Sequence, residues 1–243
     1  MKIFKITTLF FILTTLFFSC SVFKKSTEAP KKSYIEISTT QGKMIFDLYD
    51  KTPLHKANFI KLANEKFYDN TLFHRVIKGF MIQGGDPDSK NAPTNKALGN
   101  GGPGYQIPAE FDTSYFHKKG ILAAARTNNP EKKSSGSQFY IVQGNKYSLA
   151  QLNNMEKGMQ RRNPGFKFTN AQKLAYTTIG GTPHLDGDYT VFGEMISGMD
   201  VLDKIASVKK NRALGNRPVE DIKMTVKVIF LSEKEVIALK EKK

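Results

Sequence analysis

One arginine in a strongly apolar stretch is the first candidate for chemistry in this sequence. Arg75 stands within FHRVIKGFMIQGGDP, residues 73–87, and Gln83 follows it in the same stretch. The arginine has no adjacent carboxylate, and its neighbours are mostly apolar: Phe73, Val76, Ile77, Phe80, Met81 and Ile82. A guanidinium is always charged and carries several rigidly placed donors. The stretch alone leaves two interpretations open: a buried strand with a surface arginine, or a charge that is kept there for chemistry.

The other motifs argue against several kinds of site. GNGGPG, residues 99–104, matches G-x-G-x-x-G, but it contains Pro103 and no βαβ unit surrounds it, so we interpret it as a glycine loop. The histidines lack metal-ligand spacing, and LDGD at 185–188 lacks the later glutamate of a calcium loop. No G-x-S-x-G sequence is present. We therefore expect neither a metal nor another cofactor.

Strands are the elements that have to position Arg75, because apolar residues alternate with period two along much of the chain. Eight strands are predicted, at residues 34–38, 43–49, 71–77, 80–84, 121–126, 137–143, 189–195 and 222–231. Two helices are predicted, one capped by Thr52 with Pro53 in its first turn and one over residues 199–207. Strands that come in runs favour a mainly β fold, an antiparallel barrel closed by the helices.

Residues 146–180 interrupt the strand pattern. They are polar and basic, and we interpret them as a partly helical insertion in a loop. Six basic residues stand against one acidic residue: Lys146, Lys157, Arg161, Arg162, Lys167 and Lys173 against Glu156. Residues 232–243 are predicted to form a polar tail that can be helical.

The N-terminal residues are predicted to lie outside the fold. Lys2 and Lys5 precede an apolar run over residues 6–18. Thirteen residues match the core of a signal peptide and are too few for a typical transmembrane helix. We therefore predict a signal peptide over residues 1–19 and a tether over residues 20–33.

The single cysteine, Cys20, indicates how the mature chain is attached to a membrane. Cys20 follows Ser19 at the end of the apolar run, which resembles a bacterial lipoprotein signal. Phe17 and Phe18 depart from it, because the usual signal has leucine and a small residue there. The resemblance implies lipidation of Cys20 and an exported, membrane-anchored lipoprotein facing the periplasm or cell exterior. The alternative is a free thiol beside an ordinary cleavage site.

Four segments occur in one order: NFIKLANEKFYDNTLFHRV, FHRVIKGFMIQGGDP, GSQFYI and HLDGDYTVFGEMISGMDVLDKI. In this combination the chain resembles the cyclophilins, peptidyl-prolyl cis-trans isomerases, from Tyr34 to Leu231 apart from residues 146–180. The resemblance implies a closed eight-stranded antiparallel β-barrel capped by two α-helices. It also implies acceleration of rotation about X-Pro peptide bonds in proline-containing polypeptides, and with the signal peptide it implies help in folding exported proteins.

The resemblance assigns the residues of the site. Arg75 matches the catalytic arginine, and Gln83 is expected to hold its guanidinium in place. Nine further positions are expected to bind substrate: Phe80, Met81, Ala125, Arg126, Gln138, Tyr140, His184, Leu185 and Tyr189.

This chain departs from better-known members of the family at some of these positions. Arg126 replaces a common asparagine, and Tyr140 replaces phenylalanine. His184 stands where cyclosporin-sensitive members carry tryptophan, and Tyr189 stands where many members have histidine. These substitutions are typical of bacterial members.

Two other classes of function stay open. One is a proline-peptide-binding chaperone module with incidental isomerase activity, for which residues 146–180 would be the partner surface. The other is nucleic-acid binding, prompted by the net charge of +15. The basic residues are spread along the chain without a nucleic-acid motif, so we expect no such partner. We expect a monomer.

Overall fold

The computed structural model describes residues 30–241. The predicted signal peptide over residues 1–19 and the predicted lipidation site Cys20 lie outside the described residues. Within residues 30–241, none of the helices combines the length and the apolar character that crossing a bilayer requires.

The described chain is mainly β, with thirteen strands and five α-helices. The strands are β1 (Lys31–Thr39), β2 (Gly42–Leu48), β3 (Thr71–Leu72), β4 (Arg75–Ile77), β5 (Met81–Gly84), β6 (Gln106–Ile107), β7 (Ile121–Ala124), β8 (Ser134–Ser135), β9 (Phe139–Val142), β10 (Val191–Ser197), β11 (Lys210–Asn211), β12 (Arg217–Pro218) and β13 (Lys223–Ser232). The helices are α1 (Pro53–Asn64), α2 (Leu149–Gln160), α3 (Asn170–Thr178), α4 (Met199–Ala206) and α5 (Glu233–Glu241).

Nine strands form one curled antiparallel sheet, in the order β3-β13-β1-β2-β10-β7-β9-β5-β4. The prediction of a closed eight-stranded barrel is therefore wrong in strand number and in closure. The predicted strand at 71–77 is split at Phe73 and His74: β3 pairs with β13, whereas β4 pairs with β5. These two halves are the open edges of the sheet. The prediction of two helices is also too low for the described residues.

Two apolar clusters lie on opposite faces of the strands that carry the site. Successive side chains of a strand point to opposite faces. In β9, Phe139 and Ile141 belong to the main core inside the curl, whereas Tyr140 and Val142 belong to a smaller cluster on the other face. In β5, Ile82 faces the core and Met81 faces the smaller cluster. Both faces of these strands are therefore covered by apolar side chains.

Helices α1 and α4 complete the main core. Phe59 and Leu62 of α1 and Leu202 of α4 are buried in the core. Thr52 makes no side-chain capping bond, contrary to prediction. The carboxylate of Glu110 instead accepts the N–H groups of residues 54 and 55, at 3.0 and 2.9 Å, so a distant loop satisfies the start of this helix.

Residues 146–180 fold into α2 and α3, so their predicted partly helical character is confirmed. Each helix begins with a capping box, Ser148 with Gln151 and Thr169 with Gln172. The two helices share a small apolar cluster of their own: Leu152, Met159, Phe168 and Tyr176, with Phe116, Tyr147, Met155 and Phe166 packed against it.

The two ends of the described chain pack together. The first strand begins at Lys31, three residues before the predicted domain boundary, and pairs with β13 through Ser232. Helix α5 occupies the predicted tail and buries Val236 against Tyr34, Ile45 and Ile196.

Candidate active site

A row of cross-strand neighbours builds the candidate site. Arg75 of β4 stands opposite Gln83 of β5, which stands opposite Tyr140 of β9, which stands opposite Ala123 of β7. Directly opposed residues point to the same face of a sheet. Strand register therefore brings a cation, an amide and a phenol together on the face away from the main core.

A chain of hydrogen bonds fixes Arg75, and we call Arg75, Gln83 and Gln138 the guanidinium relay. Arg75 donates from Nη1 to Oε1 of Gln83 at 3.1 Å. Gln83 donates from Nε2 to Oε1 of Gln138 at 2.9 Å. Gln138 donates to the carbonyls of Gly99 and Gly101 at 2.9 and 2.8 Å. The glycine loop at residues 99–104 thus fixes the position of the guanidinium through Gln138 and Gln83.

The glycine loop requires glycine at position 101, where its backbone lies against Asp86. A Cβ at Gly101 would lie 2.1 Å from Oδ1 of Asp86, so no side chain fits there. Asp86 is buried and accepts the N–H of Gly99 at 2.6 Å through its other oxygen. The close approach of the loop to Asp86 therefore sets where its carbonyls meet Gln138.

Arg75 keeps donor capacity that the surrounding protein does not use. It is partly buried, and it makes no ion pair with any residue in the 30–241 range. Burial lowers the pKa of the Arg75 guanidinium from its usual value, yet arginine stays charged at neutral pH. Its Cζ lies 6.0 Å from the centre of the Phe80 ring. The charge therefore faces an apolar surface with N–H groups free for a ligand.

The neighbour of Arg75 in sequence faces the other way. His74 is buried, and burial lowers the pKa of its imidazole to about 4. The ring is therefore uncharged at neutral pH, which avoids a second cation beside the guanidinium. His74 does not line the pocket at Arg75, which agrees with a structural role.

A small pocket opens in front of Arg75. Its volume is about 130 Å³, and its lining residues are Arg75, Phe80, Met81, Gln83, Ala125, Arg126, Tyr140, Leu185 and Tyr189. Drug-sized ligands occupy roughly 300–1,000 Å³, so this pocket suits a group the size of one side chain. A larger cavity of about 480 Å³ adjoins it, shares Gln83, Ala125 and Arg126, and extends to the glycine loop.

The structure brings nine of the eleven predicted site residues to this pocket, and two lie beside it. Gln138 lines the larger cavity and contacts the pocket through Gln83. His184 is exposed and stacks on Phe80, with ring centres 5.7 Å apart. The role of each of these residues stays a prediction.

The side chain of Arg126, one of the predicted substrate-binding residues, forms part of the rim. Its guanidinium lies 4.7 Å from the centre of the Tyr189 ring, a cation–π contact. Its Nε donates to the carbonyl of Asp188 at 2.9 Å. Arg126 therefore holds Tyr189 in place at the opening.

Sequence reasoning missed a buried pair behind Tyr140. His117 and Asp186 are both buried, and Nδ1 of His117 lies 2.8 Å from Oδ1 of Asp186. In the sequence, Asp186 belongs to the LDGD pattern at 185–188, which gives no sign of this partner. Among residues 30–241, no cluster of three or more His, Cys, Asp or Glu side chains could hold a metal ion. The pair lies directly behind the pocket, since Nε2 of His117 is 2.9 Å from the hydroxyl of Tyr140.

The family model described as cyclophilin type peptidyl-prolyl cis-trans isomerase matches residues 34–228. A Staphylococcus saprophyticus protein, named as a peptidyl-prolyl cis-trans isomerase, is 36% identical over 188 residues, which is 76% of this chain and 85% of that protein. A Streptococcus pyogenes serotype M6 protein, named as a bifunctional phosphatase/peptidyl-prolyl cis-trans isomerase, is 36% identical over 191 residues. The match covers 77% of this chain but only 37% of that longer protein.

A solved structure has a similar fold. A Cryptosporidium parvum cyclophilin type peptidyl-prolyl cis-trans isomerase, crystallised in the presence of the dipeptide Ala-Pro, superposes with a TM-score of 0.58 at 24% identity. The match covers 82% of this chain and 99% of that one. The family match over most of the chain and the Staphylococcus relative agree with this fold. The chain belongs to the cyclophilin-type peptidyl-prolyl cis-trans isomerase family.

Proposed function

We propose that this chain accelerates cis-trans rotation about X-Pro bonds in proline-containing polypeptides. One observation carries the proposal: a partly buried guanidinium, held by Gln83, faces an apolar pocket of about 130 Å³ with N–H groups to spare. The pocket suits a proline ring, and the adjoining cavity of about 480 Å³ leaves room for flanking residues of an extended peptide.

The chemistry of the X-Pro bond explains why an arginine donor suffices. The bond resists rotation because the nitrogen lone pair is delocalised into the carbonyl. Uncatalysed exchange takes tens to hundreds of seconds. In the twisted state the nitrogen becomes pyramidal and recovers its lone pair. A donor aimed at that nitrogen stabilises the twisted state alone, which is the condition for catalysis.

The apolar walls strengthen this effect. Phe80, Met81, Tyr140 and Leu185 would surround the proline ring and exclude water from the donor. Shortening exchange from tens of seconds to milliseconds requires about 10⁴-fold acceleration, or roughly 5.5 kcal/mol. One charged hydrogen bond, together with restraint of the peptide, is of the size required. The step makes and breaks no covalent bond, so neither a nucleophile nor a cofactor is needed.

The test is an isomerisation assay on the purified full-length protein and on Arg75→Ala. We expect the variant to lose about 10²–10³-fold in kcat/KM, the typical cost of removing a transition-state donor. Arg161→Ala, which removes an exposed arginine of residues 146–180, is the matched control and should retain full activity. An inactive parent protein would refute the proposal, and an Arg75→Ala variant as fast as the parent would remove the arginine from its role.

The same variant separates the chaperone hypothesis from the isomerase. If proline-peptide binding alone matters, Arg75→Ala should protect an unfolding client protein as well as the parent does. If isomerisation matters, the variant should fail to speed the proline-limited refolding of that client. A client whose slow phase is unaffected by the parent protein would favour the chaperone.

We further propose that the protein is exported, anchored by a lipid on Cys20, and active in folding exported proteins. Support comes from the sequence, in the basic start, the apolar run over residues 6–18, and the cysteine that follows. Stable lipid anchoring takes two signals, such as two acyl chains or one acyl chain together with a polybasic patch. Cys20→Ser should move the protein to the soluble fraction, and continued membrane association would contradict the anchor.

A further inference from the structure

The hydroxyl of Tyr140 links the pocket to a series of buried hydrogen bonds. Tyr140 lines the pocket with its ring and is only 4% exposed. Its hydroxyl lies 2.9 Å from Nε2 of His117, and the two rings are within 10° of parallel. Burial raises the pKa of Tyr140 well above its ordinary value, so the hydroxyl keeps its proton and can donate it.

Asp186 fixes the tautomer of His117. Oδ1 of Asp186 lies 2.8 Å from Nδ1 of the ring and accepts the backbone N–H of His117 at 2.9 Å. An ionised carboxylate only accepts hydrogen bonds, so Nδ1 carries the proton. Nε2 is then free to accept the hydroxyl proton of Tyr140. Each group in this buried chain has a defined donor or acceptor role.

The other oxygen of Asp186 is held from residues 146–180. Oδ2 accepts the hydroxyl of Tyr176 at 2.6 Å and Nε2 of Gln172 at 3.1 Å. Tyr176 is fully buried, and both donors lie on α3. Asp186 thus accepts four hydrogen bonds. We call Tyr140, His117, Asp186, Gln172 and Tyr176 the carboxylate network.

Apolar packing ties the same elements together. Tyr176 packs edge-on against Phe116, the residue before His117, with ring centres 5.6 Å apart. The carbonyl of His117 accepts the N–H of Thr182 at 2.8 Å. Asp186 directly follows Leu185, which lines the pocket. A shift of α3 would therefore reach the pocket wall through both polar and apolar contacts.

We propose that Tyr176, with Gln172, is a positioning residue for the proline pocket and acts on Tyr140 through Asp186 and His117. The inference rests on the proposed isomerase function and assigns residues 146–180 a role in it. A wall that seats the proline ring contacts the planar and the twisted states alike. Loss of such uniform binding raises KM and leaves kcat nearly unchanged. Loss of the Arg75 donor, by contrast, lowers kcat.

A double-mutant cycle on the full-length protein tests the connection. Tyr140→Phe, Tyr176→Phe and the double variant each remove only hydroxyl groups. We expect each single variant to raise KM for an X-Pro peptide about threefold, with kcat within about 1.5-fold of the parent. The double variant should raise KM no further, because either change already breaks the chain. Additive effects, about ninefold in KM, would overturn the inference, and so would an unchanged KM in Tyr176→Phe.

Two further variants keep the test sharp. Tyr147→Phe makes the same chemical change in the same apolar cluster, but no network hydrogen bond includes the Tyr147 hydroxyl. It should leave KM unchanged, and a threefold rise there would point to general loosening and overturn the inference. Gln172→Met removes the second donor to Asp186, along with the capping bond to Thr169, and should raise KM about twofold even if Tyr176→Phe fails to fold. An inactive parent protein would overturn the isomerase proposal, whereas normal activity with an uncoupled cycle overturns this inference alone.

Discussion

Two hydrogen-bonded networks meet at the pocket, and they differ in whether their charged group keeps free hydrogen-bonding capacity. The guanidinium relay runs from Arg75 through Gln83 to the glycine loop, and it leaves N–H groups of a cation facing the cavity. The carboxylate network runs from Tyr140 to Asp186 and α3, and donors from the protein occupy both oxygens of its charged group. The guanidinium relay therefore presents the charge of Arg75 to a substrate. In the carboxylate network, by contrast, protein donors bind the Asp186 carboxylate, and the network holds the wall of the pocket in place.

This difference assigns the two networks different kinetic effects. A donor that meets the substrate only in its twisted state affects kcat. A wall that contacts the proline ring in every state affects KM. Variants of the guanidinium relay should therefore lower kcat, whereas variants of the carboxylate network should raise KM. A variant that changes the other parameter would contradict this assignment.

The largest effect is expected at Asp186, and it concerns stability. Asp186→Asn replaces an acceptor of four hydrogen bonds with an amide whose NH₂ group faces donors. We expect the free energy of unfolding to fall by about 3 kcal/mol, because buried donors lose a charged partner. Urea denaturation measures it. Asp188→Asn, two residues on, disrupts only ion pairs with Lys132 and Arg162 and should cost less than about 1 kcal/mol. Equal losses would mean that the network is not a stabilising unit.

A smaller effect is expected at Gln83. Gln83→Ala leaves the charge of Arg75 in place but removes the acceptor that orients it. We expect kcat to fall about tenfold with little change in KM, because misplacing a donor costs transition-state stabilisation. Gln41→Ala, at an exposed turn, is the control for a glutamine truncation. If Gln83→Ala raised KM without lowering kcat, Gln83 would affect substrate binding, as the carboxylate network is expected to do, and the distinction between the two would fail.

The smallest effect is expected at Arg126, which belongs to neither network. Arg126→Met keeps the apolar stem and removes the cation from the Tyr189 ring. A cation–π contact near the surface contributes about 0.5–1 kcal/mol, so KM for an X-Pro peptide should rise about two- to fivefold. Steady-state kinetics with short and long peptides measure it. A large fall in kcat would make Arg126 a second donor to the reacting peptide.

The Arg75–Gln83 pair of the relay could be predicted from sequence because both residues lie in one motif, whereas Gln138 was expected to bind substrate and its bond to Gln83 was not predicted. Arg75 and Gln83 belong to the two arms of one hairpin, so strand register alone places them side by side. Gln138 lies in the GSQFYI segment, whose strand pairs with the second arm. Local alternation and family resemblance were enough to bring these three residues to one face.

The network could not be predicted, since its members come from distant segments. His117 is hydrogen-bonded to Tyr140 and Asp186 across long sequence separations, and Tyr176 reaches Asp186 from α3, which packs on Phe116. No local periodicity in the sequence indicates these contacts. The split of the strand at 71–77 had a similar cause. Phe73 and His74 are both buried, so the alternating pattern gives no sign that the chain changes its pairing partner there.

The most direct test compares binding with exchange on the enzyme. Exchange spectroscopy on a labelled X-Pro peptide gives the cis-trans rate in the bound state, and a titration gives Kd, for the parent protein and for Arg75→Ala. The account predicts that bound-state exchange falls at least about 100-fold while Kd changes less than about threefold, since the donor acts on the twisted state alone. Unchanged exchange on the enzyme, or a loss of binding as large as the loss of exchange, would contradict it.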